Sequence, residues 1–68
     1  MLAVHELQGF AIVLDRIQFV SAVYEASDSQ GWKFNIRFGA EVRLAPVFPT
    51  RHDAELGREL LLKALREA

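Results

Sequence analysis

The chain has 68 residues, 51% of them hydrophobic, with a formal net charge of −1 and no cysteine. That length limits it to one small domain with a modest core. The missing cysteines exclude disulfides and thiolate metal sites, so self-association is the remaining way to reinforce so small a core. The near-neutral charge argues against a strongly basic nucleic-acid-binding domain.

The N-terminal residues 1–9 read as a weak edge strand or a loose end, with Leu2 to Leu7 as its apolar part. This stretch lacks the basic start and apolar centre of a signal peptide. The longest apolar run, Phe10 to Leu14, is too short to span a membrane. A soluble, cytoplasmic protein without membrane partners is expected. Residues 10–14 are β-branched and aromatic, as in a strand. Asp15 and Arg16 interrupt the run, and residues 17–26 form a second expected strand.

Ser27 to Gly31 has the composition of a turn. Trp32, Phe34, Ile36 and Phe38 then alternate with Lys33, Asn35 and Arg37, the period of a strand with one buried face. Gly39 and Ala40 begin another turn. Residues 41–48 make the last expected strand, which Pro46 confines to an edge or a bulge. Thr50 is a suitable N-cap for a helix over residues 51–67, with Asp53 three positions on. Ala54, Gly57, Leu61, Ala64, Leu65 and Ala68 share one helical stripe, which Leu60 flanks. Leu56 and Leu62 fall outside it on opposite sides. Glu59 and Lys63 have the spacing of an i,i+4 ion pair.

The expected fold is therefore α+β: an antiparallel meander of four strands, or five with the N-terminal segment, with one C-terminal amphipathic helix across one face. The strand registers identify the faces, because a slip of one residue exchanges them. A three-residue loop over Gly39 to Glu41 pairs Phe38 with Val42 and Ile36 with Leu44. A four-residue loop over Ser27 to Gln30 pairs Val23 with Phe34 and Phe19 with Phe38. The expected core face then holds Phe19, Val23, Phe34, Ile36, Phe38, Val42 and Leu44.

The opposite face carries Val20, Ala22, Tyr24, Lys33, Asn35, Arg37, Arg43, Ala45 and Val47. It sets Arg37 against Arg43, which is unfavourable unless an anion, a partner's carboxylates or water relieves it. Its apolar members form a patch that a monomer would tend to cover. The first reading is a non-enzymatic module that self-associates as a homodimer through this face, alone or with the helix flank of Leu56 and Leu62. The alternative is single-stranded nucleic-acid binding, with Lys33, Arg37 and Arg43 on phosphates and Tyr24 stacked on a base. A protein partner adding to a sheet edge is a third.

Other candidates have ordinary explanations. Trp32 keeps the core phase and reads as a core-edge residue. His52 and Glu55 could place two metal ligands on one helix face, but two ligands do not make a site. Asp28 between Ser27 and Ser29 is turn chemistry. No phosphate loop, nucleophile motif or carboxylate pair occurs, so neither an enzyme nor a cofactor is expected. The order of elements, strands such as 32–38 before a helix over 51–67, resembles the single-stranded DNA-binding fold of a transcriptional-coactivator class. It is also similar to the closing half of pleckstrin-homology-like domains. Both resemblances are of element order, and no motif carries over residue by residue.

Overall fold

The computed structural model describes residues 3–27, 30–39 and 42–67. Its class is α+β, with antiparallel strands and one C-terminal helix. The strands are β1 (Val4–Leu7), β2 (Phe10–Val13), β3 (Phe19–Val20), β4 (Tyr24–Glu25), β5 (Trp32–Lys33), β6 (Ile36–Arg37), β7 (Arg43–Leu44) and β8 (Val47–Phe48), followed by helix α1 (Arg51–Glu67). The expected turn positions Asp28, Ser29, Ala40 and Glu41, and the ends Leu2 and Ala68, lie outside the described residues.

The weak N-terminal segment is a strand. β1 pairs with β2 from Val4↔Val13 to Leu7↔Phe10, around a two-residue turn at Gln8 and Gly9. Both turn residues have positive φ, 52° and 82°, which matches the strand twist of a primed hairpin turn. Gly9 adopts this without a side-chain penalty, whereas Gln8 does so against preference. Asp15 and Arg16 interrupt the apolar run, within a 3₁₀ turn over Leu14–Arg16.

The remaining strands form a separate three-run meander interrupted at its middle; β2, expected as the meander's first strand, bonds instead to β1. One ladder has the order β3-β6-β7 and the other β4-β5-β8. The third run keeps a single register on its neighbour, from Trp32↔Phe48 through Ile36↔Leu44 to Arg37↔Arg43. Phe38 donates its N–H to the Val42 carbonyl at 2.9 Å, so the expected pairing of this hairpin holds. The run stands at the edge of both ladders, where a proline is tolerated. Pro46 faces Phe34 in this register and cannot donate to it, which accounts for the gap between β7 and β8.

The first run does not keep one register. Tyr24 pairs with Lys33 and Glu25 with Trp32, as the four-residue loop requires. Further along, Phe19 pairs with Arg37 and Val20 with Ile36. Residues 21–23 therefore oppose only residues 34–35, a β-bulge that inserts one residue. The slip exchanges faces beyond it. Phe19, expected in the core opposite Phe38, points outward and is 49% exposed. Val20, expected on the open face, lies opposite the fully buried Ile36 and packs on the core.

Helix α1 covers the core face. The Asp53 N–H donates to the Thr50 hydroxyl at 3.1 Å, the N-cap bond. The core comprises Leu7, Ile12, Leu14, Phe34, Ile36, Phe48, Ala54 and Leu61. The Phe34 and Phe48 rings stack at 5.9 Å between centroids. Gly57 faces this stack: a Cβ there would lie 2.7 Å from Phe48 Cζ. Val23, Phe38 and Leu44 pack at its margin, as expected, whereas Val42 is exposed at the open end of the meander. Glu59 and Lys63 do not pair with each other; among the described residues the ion pair on this helix joins Arg51 to Glu55 at 3.5 Å.

Candidate interface on the open sheet face

The open face is built from side chains of one phase on three runs. Lys33, Asn35 and Arg37 come from the middle run, Arg43, Ala45 and Val47 from the edge run. Tyr24 joins opposite Lys33, and the bulge adds Phe19 opposite Arg37. Ala22 is exposed in the bulge itself. Of the expected face, Val20 alone turns inward, and Phe19 takes its place as a larger aromatic surface.

Cations and rings alternate here. The Arg37 guanidinium carbon lies 5.6 Å from the Phe19 ring centroid. The Lys33 ammonium lies 5.8 Å from the Tyr24 centroid. Each distance is within cation–π range. Tyr24 donates its hydroxyl to Asn35 Oδ1 at 2.8 Å, which fixes the ring and the amide together. Arg43 stands directly across from Arg37. Lys33, Arg37 and Arg43 form no ion pair with a described residue. The described residues of this face carry three cations and no carboxylate. Among the described residues this face thus concentrates positive charge that the molecule's near-neutral total does not show.

The helix flank differs from the expectation. Leu56 is 52% exposed, but Leu62 is half-buried. Leu60, one turn after Leu56, is 49% exposed and is the second member of the outer stripe. Trp32 packs at the margin of the core, with the Arg51 guanidinium 5.7 Å from its ring centroid. Glu55 is engaged with Arg51. No group of three or more metal-ligating side chains occurs among the described residues. Among them, too, no helix is long and apolar enough to cross a membrane.

Sequence reasoning missed Phe19 because alternation through residues 17–26 counts no inserted residue. The available signal was Val20 and Val23, two apolar residues three apart with Ser21 between them, an odd spacing that an uninterrupted strand cannot place on one face. No family model, curated protein or solved structure matches this chain.

Proposed function

We propose that the protein is a non-enzymatic binding module whose open sheet face takes a single strand of nucleic acid. The observation that carries this is the set of two half-exposed rings, Phe19 and Tyr24, each beside a cation, on a face whose described residues include no carboxylate. Stacking platforms interleaved with cations are how sequence-tolerant single-strand binders work. Arg37 and Arg43 are opposed like charges. A phosphate between them would relieve the repulsion each feels.

Titration of a fluorescein-labelled oligothymidine of about ten nucleotides tests this by anisotropy. With three phosphate contacts, log K falls against log salt with a slope of about −2. Phe19→Ala and Arg37→Glu each weaken binding about tenfold or more while circular dichroism stays unchanged. Absence of binding at low salt, or binding indifferent to both substitutions, refutes the reading.

Self-association is the second reading, and what favours it is the exposed pair Leu56 and Leu60. Pressing the sheet face on its own copy would set three cations against three, so the helix is the better contact. Light scattering then gives twice the chain mass of 7.7 kDa, and Leu56→Glu with Leu60→Glu restores the monomer. A clean monomer at micromolar concentration removes this reading and leaves the first intact.

A further inference from the structure

An apolar groove of about 400 Å³ separates the N-terminal hairpin from the edge of the meander. It is lined by Phe10 to Val13 and Arg16 from the hairpin and the turn after it, and by Phe38 and Val42 to Leu44 from the meander. Consecutive residues line each wall. The groove therefore follows two backbone edges, since one face of a strand would contribute only alternate residues.

Among the described residues both edges are unpaired. β2 bonds only to β1, and β7 only to β6. The direction of the free backbone groups follows from the ladders. In a two-residue hairpin the closing pair, here Leu7 and Phe10, exchanges both hydrogen bonds. Leu14 keeps that phase by donating to the Ala3 carbonyl at 3.0 Å. Ala11 and Val13 therefore aim N–H and C=O away from β1. On the facing wall, the Phe38 to Val42 bond directs residue 42 inward, so Arg43 aims its backbone groups outward. None of these three has a further hydrogen bond to a described residue.

We propose that this groove receives an extended peptide segment of a protein partner as an added strand, with apolar side chains alternating with carboxylates. The backbone edges supply the pairing that strand addition needs. Phe10, Ile12, Phe38 and Val42 supply the apolar contact. Arg16 and Arg43, neither paired with a described carboxylate, select the charge of the occupant. The volume lies within the range of natural binding sites. Arg43 stands at the rim of both this groove and the open face, whereas Arg16 belongs to the groove alone and separates the two in a test.

The full chain, labelled with ¹⁵N, is titrated with acetyl-Glu-Val-Glu-Val-Glu-Val-amide and with the same peptide carrying Lys for Glu. The acidic peptide binds about tenfold tighter, and the amide signals of Ala11, Val13 and Arg43 move. Arg16→Glu reduces or reverses the preference without altering the circular dichroism. A version of the acidic peptide N-methylated at every residue, whose backbone cannot donate to either edge, binds no better than background. Equal affinity for the two charged peptides overturns the proposal. So do amide shifts confined to Tyr24 and Lys33, no shift at millimolar peptide, or shifts that track protein concentration without peptide and so identify a second copy as the occupant.

Discussion

Asn35 gives its backbone N–H to the side-chain hydroxyl of Ser21, at 2.8 Å, where a regular ladder would offer a carbonyl. Ser21 returns its own N–H to the Asn35 carbonyl at 2.8 Å. Its carbonyl, freed from the ladder by the bulge, accepts Nε of Arg58 from the helix at 2.7 Å. One small polar residue thus satisfies the groups that an inserted residue would otherwise leave unpaired. The face exchange that exposes Phe19 depends on this arrangement.

Ser21→Ala removes the acceptor for a half-buried N–H. The expected cost is about 1–3 kcal/mol, the range for a buried donor left without a partner. Urea unfolding measures it, and Ser21→Thr, which keeps the hydroxyl, recovers most of the loss. Arg58→Leu removes the charged donor to the same residue and costs a comparable amount. An unchanged midpoint for Ser21→Ala would show that the bulge does not need its hydroxyl.

The two phases around the bulge can be told apart by substitution. Val20 packs against the core and Phe19 does not. Val20→Ala deletes two methyl groups from a partly buried site and costs about 1–2 kcal/mol. Val20→Asp, which places a charge against Ile36, unfolds the protein. Phe19→Asp leaves the melting curve close to that of the parent. The reverse pattern is what an unbulged strand would give.

The hairpin between Phe38 and Val42 was legible because residues 32–38 alternate strictly, Val42, Leu44 and Phe48 share one phase, and Gly39 marks the turn. The pairing of Tyr24 with Lys33 was legible because the turn composition after Ala26 set a four-residue loop, Ser27 to Gln30. The bulge was not, since alternation reports the phase of a run but not an insertion within it. Gln8-Gly9 was overlooked as a turn because Gln seldom accepts positive φ. Val42 has the core phase, yet phase says nothing about how far the covering helix reaches. In the open face, Tyr24, Lys33, Asn35, Arg37, Arg43 and Val47 were readable from register, while Phe19 needed the bulge. Leu62 was misplaced on the outer flank because a helical wheel ranks residues by angle and carries no information about what packs beside them.

Gly57 holds the helix close to the sheet. In an exposed helix, Gly→Ala gains about 1 kcal/mol of propensity. Here the new Cβ would meet Phe48 Cζ at 2.7 Å and Cε2 at 3.0 Å. The Phe48 ring is stacked on the fully buried Phe34, so it has little freedom to retreat. Overpacking of this kind costs about 1–3 kcal/mol, which exceeds the propensity gain. Gly57→Ala is therefore expected to lower stability. Combining it with Phe48→Leu makes the added methyl less costly than it is alone, a coupling that a double-mutant cycle measures.

The helix start separates a hydrogen bond from a charge effect. Thr50 caps the Asp53 N–H, but Asp53 does not return a side-chain bond to the Thr50 N–H. Thr50→Ala loses the cap and costs about 1 kcal/mol, lowering Tm by about 4–8 °C in a chain of this size. That loss is insensitive to salt, because the bond is between neutral groups. Asp53 acts instead through its position in the first turn, where a carboxylate meets the positive end of the helix dipole. Asp53→Asn therefore costs only about 0.3–1 kcal/mol at low ionic strength, and the difference from the parent shrinks as salt is added. A salt-independent loss at Asp53, equal to that at Thr50, would mean that the reciprocal capping bond forms in solution.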